Sequence, residues 1–280
     1  MGHISLAPRM IQGALAGLLI TASSGALAGP VVTDWIYQID SGFTAFTPNS
    51  VVGSHTNPLL NAPSKLTWGS DVGNGQSTLS VGSATNGQFN GSVATNGGAV
   101  ATVQVIHDNR AIGTDAGVLN TATLAARLDI ARSLPAPEGP HQVQTLTFGI
   151  RFTETLNLTP CVVGSSPTPC NDIFVVDVAG AGFNPANNTL SQAFGYDGNL
   201  YNAVLAITGL GPLSDEACVA AGAIGSCIGF TTVENQANPF QVSLAIAFTP
   251  LSDLPEPSSL GLVGLTLLGL SLSRRRRPAR

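Results

Sequence analysis

Thr145-Leu146-Thr147-Phe148-Gly149-Ile150-Arg151-Phe152-Thr153 alternates residue by residue. Leu146, Phe148, Ile150 and Phe152 fall on one side, and Thr145, Thr147, Gly149, Arg151 and Thr153 on the other. Side chains alternate across a strand, so this stretch predicts one apolar and one polar face. Residues 123–130 repeat the pattern, with Leu124, Ala126, Leu128 and Ile130 opposite Thr123, Ala125, Arg127 and Asp129. Phe240, Val242, Leu244, Ile246 and Phe248 repeat it again. A sheet buried on one side needs a second sheet to cover it. The predicted fold is therefore all-β, a β-sandwich of jelly-roll or Ig-like type. Residues 35–39, 65–68, 77–81, 172–178, 201–208 and 228–233 are predicted to add short strands, and only 214–223 suggests a helix or turn. Ala84-Thr85-Asn86-Gly87 recurs as Ala94-Thr95-Asn96-Gly97. Asn-Gly favours tight turns, so two successive hairpin tips are expected.

The surface is built from Gly, Asn, Thr and Ser, because only 10% of residues are charged, against ~25% in an average globular protein. Charge is unevenly spread. Arg9 lies at the start, and Arg274, Arg275, Arg276, Arg277 and Arg280 lie at the end. Between them, Lys65, Arg110, Arg127, Arg132 and Arg151 face all 16 acidic residues, a net charge of −11. Nucleic acid and anionic lipid need cationic patches, so neither is an expected partner.

The two ends read differently from the middle. Residues 1–28 have the form of a secretory signal: Arg9, an apolar core over 10–22, then the small-residue pattern Ala26-Leu27-Ala28. A signal helix over 1–28 is expected, followed by one β domain over 29–250. Residues 251–280 contain Pro255-Glu256-Pro257, an uncharged apolar run, and four consecutive arginines. As a helix, residues 258–273 would span roughly 24 Å against about 30 Å of bilayer hydrocarbon, short but usable. A transmembrane helix is therefore expected here. The arginines would hold its end in the cytoplasm, and the prolines would keep the preceding segment extended.

Taken together, Pro255, Glu256 and Pro257, the short apolar helix and Arg274, Arg275, Arg276 and Arg277 resemble the PEP-CTERM protein-sorting signal. The resemblance covers about the last tenth of the chain. It implies an exported protein, held in the inner membrane by its tail, then processed by exosortase and delivered to the cell surface or beyond. It also implies a setting rich in extracellular polysaccharide, a possible further partner.

Four cysteines, Cys161, Cys170, Cys218 and Cys227, form two pairs that each enclose eight residues. An even count in an exported chain points to disulfides. Short loops favour Cys161–Cys170 and Cys218–Cys227, each stabilising by ~2–3 kcal/mol. A four-thiolate zinc site is the alternative, but its ligand pairs usually lie closer in sequence.

Leu66-Thr67-Trp68-Gly69, Gly75-Gln76-Ser77, Ile106-His107-Asp108-Asn109 and Glu154 come in an order similar to the THxN family of PEP-CTERM proteins. The cysteine-bounded loop running into Asp172-Ile173-Phe174-Val175 adds to it. His107 and Asn109 match the motif that names the family; Ile106 stands where Thr is expected. The resemblance implies no activity.

Candidate chemistry is sparse. His107, Asp108 and Asn109 read first as turn-formers at a strand end, and second as a catalytic or metal cluster. His55 reads the same way, and His141 reads as solvated. Glu154 and Glu234 are the carboxylates a glycosidase pair would need, but Glu154 reads as solvated on a polar strand face. Asp172, Asp177, Asp197 and Asn199 are possible calcium ligands without a complete loop pattern. No metal, cofactor or catalytic residue is expected. The expected function is that of a non-enzymatic surface or matrix protein. The alternatives are a carbohydrate-binding module using Trp35, Trp68 or the three tyrosines, and a secreted hydrolase using His107 or Glu154.

Overall fold

The computed structural model describes residues 29–250 except 83–90, 114, 116, 136–138, 158, 162–169, 178–181 and 185. The predicted signal helix and transmembrane helix, Pro255, Glu256, Pro257 and Arg274 to Arg277 lie outside the described residues. In chain order the first strands are β1 (Asp34–Thr47), β2 (Val52–Asn57), β3 (Ala62–Trp68), β4 (Ser70–Asp71), β5 (Ser77–Val81) and β6 (Gly91–Ala94). β7 (Val100–Asn109), β8 (Ile112–Gly113), β9 (Thr121–Leu134), β10 (Gln142–Thr153), β11 (Asp172–Asp177) and β12 (Gly182–Asn184) follow. Then come β13 (Thr189–Tyr196), β14 (Asn199–Ile207), β15 (Gly211–Pro212), the helix α1 (Asp215–Ala220), β16 (Ile228–Thr232) and β17 (Gln236–Phe248).

One sheet has the order β15-β16-β11-β10-β9-β1-β6, and the other β12-β13-β14-β17-β7-β5-β3-β2. Ladder neighbours within each are antiparallel. Both sheets feed one core: Leu128, Ile130, Phe148, Phe152 and Phe174 from the first, Leu66, Leu79, Tyr201, Leu205 and Leu244 from the second. This is the sandwich-like arrangement the alternation requires. On β10, Leu146, Phe148, Ile150 and Phe152 are buried while Thr147 and Arg151 are exposed. Full burial of a Phe or Leu is worth about 1.5–3 kcal/mol. Four such residues on one strand face outweigh any local preference.

Two sequence expectations change. The strand predicted over 35–39 is the front of the 14-residue β1, which stays buried through Gln38, Asp40 and Ser41. Alternation could not reveal this, because polar partners satisfy the polar side chains. Gln38 Nε2 donates to Asp40 Oδ2 at 2.7 Å, and Arg127 lies 3.8 Å from the same carboxylate. The second expectation concerns the repeated Asn-Gly. Asn96 does take a left-handed φ of 55°, as a tight turn requires. It joins β6 of one sheet to β7 of the other, however, so it carries the chain across the sandwich and is not a hairpin tip. The first copy lies outside the described residues.

The sulfurs of Cys161 and Cys170 stand 2.08 Å apart and those of Cys218 and Cys227 2.10 Å apart, the local pairing expected. The second pair belongs to a small outer cluster in which Ala217, Cys218 and Ala221 cover Ile173 and Val175. β11 is therefore buried on both faces, with Phe174 and Val176 turned to the main core. Among the described residues α1 is the only α-helix, and no helix there is long and apolar enough to cross a membrane.

Candidate functional site

β7 continues through His107 to Asn109, so these residues are strand, not turn, which corrects the first expectation for them. Hydrogen-bonded ladders on both sides hold them: His107 lies opposite Leu79 of β5 and Asn238 of β17. Alternation then sends Val105, His107 and Asn109 inward and Asp108 outward, where it pairs with Arg110 at 2.9 Å. His107 stacks on Trp68 with ring centroids 5.4 Å apart and planes 13° apart. Phe152 and Phe174 of the opposite sheet meet it edge-on at 5.4 and 4.9 Å. Its Nδ1 lies 2.9 Å from Thr232 Oγ1, a bond between the sheets. Burial depresses the imidazole pKa to about 3, so His107 is neutral at physiological pH.

Asn109 is also fully buried, and its amide nitrogen donates to the Thr232 carbonyl at 3.2 Å. That bond orients the amide and leaves Oδ1 without a partner. The amide lies beside two carboxylates, Asp172 and Glu234, and holds both pKa values down. Asp172 opens β11 opposite Thr232 of β16. Glu234 follows β16, and Glu154 follows β10. One oxygen from each of Glu154, Asp172 and Glu234 lies within 4.8 Å of the others.

This trio is acidic and poorly compensated. None of the ion pairs among the described residues includes any of the three. Thr155 N donates to Asp172 Oδ1 at 2.9 Å, while Asp172 Oδ2, Glu154 Oε2 and both Glu234 oxygens have no hydrogen-bond partner. Trp68 Nε1, itself unpartnered, is near enough to lower the Glu154 pKa without reaching bonding geometry. Burial, then the Asp172 and Glu234 charges, push Glu154 up to about 9. Burial and the Glu234 charge push Asp172 up to about 8 against the Thr155 bond. Burial also raises Glu234. Unpaired buried carboxylates are costly, so the cluster must either keep protons or take up a cation.

Glu154 is half-buried and lines an open cleft of about 270 Å³ with Asn120 and Thr153. Asp172 and Glu234 sit behind it, 0% and 5% exposed. The expectation that Glu154 is solvated on a polar face is therefore corrected. Parity already places it with Phe152, and the inward face simply continues past the strand end.

The remaining candidates do not join this group. His55 is exposed at a left-handed φ of 57° beside Ser54. His141 is 44% exposed and 3.4 Å from Asp129. Asp177 lies at the far end of β11 from Asp172, and Asp197 pairs with Arg132 at 3.3 Å. Neither belongs with Asp172. Sequence reasoning missed Thr232, which bridges His107 and Asn109, and did not connect Asp172 with the two glutamates.

Residues 253–277 match the PEP-CTERM protein-sorting motif. No curated protein matches the chain. The motif marks an exported protein sorted by an exosortase-dependent route from a membrane-anchored precursor. The match covers the tail alone. Trp68, His107, Asn109, Glu154 and Asp172 lie together at one end of the sandwich.

Proposed function

We propose that this chain is a non-enzymatic surface or extracellular-matrix protein. In this proposal residues 29–250 are one delivered β domain, 1–28 a cleaved signal, and 251–280 the membrane-held signal that exosortase processes. The observation that carries the proposal is the sorting motif at 253–277. The charge distribution supports it, since removing the arginine cluster leaves a strongly acidic domain outside the cell. A role within extracellular polysaccharide fits the same delivery route. Sugar binding through aromatic platforms is disfavoured by burial: Trp35, Trp68, Tyr37, Tyr196 and Tyr201 are all 5% exposed or less. Any polysaccharide contact would use the amide- and hydroxyl-rich surface.

A second reading is a hydrolase, favoured by the closeness of Glu154 to Asp172 and Glu234. A glycosidase needs two carboxylates that flank a substrate. Here a substrate would reach Glu154 and find its partners behind it, which weighs against this reading. Hydrolysis of a polysaccharide panel that Glu154→Gln abolishes would replace the first reading with the second.

The sorting proposal is tested by changing Pro255, Glu256 and Pro257 together to Ala and following the mass and location of the exported protein. The expected outcome is a protein that keeps its tail, with the mass of residues 29–280, and stays in the membrane. Unchanged mass and location would reduce the tail to a plain anchor.

A further inference from the structure

We propose that Glu154, Asp172 and Glu234 form a divalent-cation site that selects calcium. The site lies where the two sheets meet and is independent of how the chain is sorted.

The donors are all oxygen, which suits a hard cation and not zinc, whose protein ligands are mostly Cys and His. Their spacing and the hydration of the ion bear on which cation. Calcium binds oxygen at about 2.3–2.6 Å, so ligands on opposite sides of the ion stand about 4.6–5.2 Å apart. The three oxygens lie within 4.8 Å of one another, so one calcium ion can reach all three. Magnesium demands near-ideal octahedral geometry and gives up its waters reluctantly, which three carboxylates in a buried site do not favour.

The buried, unpartnered oxygens are the sign of a ligand. Asp172 is 0% and Glu234 5% exposed, yet Asp172 Oδ2 and both Glu234 oxygens have no hydrogen-bond partner. Buried carboxylate oxygens without a donor are uncommon and unfavourable, and a cation would satisfy them together with Glu154. The cleft lined by Glu154 brings solvent to the edge of the cluster. Supporting bonds hold the donors in place. Thr155 N fixes Asp172, and Asn157, whose side chain lies beside Glu234, accepts at Oδ1 from Cys170 N at 2.8 Å, tying the site to Cys170.

Bound calcium would join the end of β10, the start of β11 and the turn after β16. That makes the delivered domain stiffer in calcium-containing surroundings.

The test uses the full chain in detergent, treated with chelator and desalted, then titrated with CaCl2, MgCl2 or ZnCl2. Calcium near 100 times its Kd should raise Tm by about 5–10 °C, with a smaller effect from the other two ions. Asp172→Asn should weaken calcium binding at least about ten-fold, the lower bound seen for metal-site supporting residues. Glu154→Gln, at the half-buried mouth, serves if the first variant does not fold. No calcium shift in the wild-type chain, an equal shift with magnesium, or an undiminished shift in the variant would each overturn the proposal.

Discussion

At the residue scale the fold carries an acidic trio and a neutral histidine, and their titrations pull in opposite directions. In the calcium-free chain Glu154 and Asp172 keep protons that an unfolded chain releases near pH 4. The folded state then binds more protons, so stability falls as pH rises from about 4 toward 8–9. His107 does the reverse. Its pKa falls from 6.5 to about 3 on folding, so its contribution is lost as pH drops below 6.5. Above 6.5 only the carboxylates act. Tm of the chelator-treated chain is expected to fall by several degrees between pH 6.5 and 8.5 when followed by circular dichroism. A flat Tm over that window would mean that the trio is already ionised at pH 6.5. Much of this site was legible in parity. Glu154 continues Ile150 and Phe152, Asn109 continues Val105 and His107, Glu234 continues Phe230 and Thr232, and Asp172 ends the face of Phe174 and Val176. Each inward face finishes in a polar residue. Sequence could not show that these four ends lie at the same end of the sandwich.

At the element scale the strands that read most clearly are those that bury one face only. β10 and β17 alternate cleanly in both sequence and structure. Phe148→Ala removes a core side chain and should cost about 3–5 kcal/mol in a urea titration, while Thr147→Ala on the exposed face should stay within about 0.5 kcal/mol. Equal effects at the two positions would contradict the assigned faces. β1 and β11 were harder to read, because partners cover both of their faces and erase the period of two. α1 covers β11, and its start is well specified: the Ser214 side chain accepts from Ala217 N at 3.3 Å. Ser214→Ala should cost about 1 kcal/mol, a fall in Tm of about 2–4 °C. No change would mean that packing against Ile173 and Val175, together with the Cys218–Cys227 link, holds the helix without its cap.

At the scale of the whole molecule, the chain separates delivery from structure. The sorting motif occupies the tail, and the calcium site and the shared core occupy the β domain. Replacing the Pro-Glu-Pro motif should alter delivery without changing the calcium-dependent Tm, and Asp172→Asn should do the opposite. The sequence by itself determined the tail motif, the charge distribution, the all-β class and the local cysteine pairing. These are local properties, set by composition, by a period of two, or by partners nine residues apart in the chain. Tertiary structure alone decided that the repeated Asn-Gly includes a crossing between sheets, that every Trp and Tyr is buried, and that Glu154, Asp172 and Glu234 meet beside Asn109. Those outcomes depend on which strands neighbour one another and on how two sheets lie face to face. Residues separated by 125 positions, as His107 and Thr232 are, come together only when the order of strands is set. No pattern along the chain encodes that order.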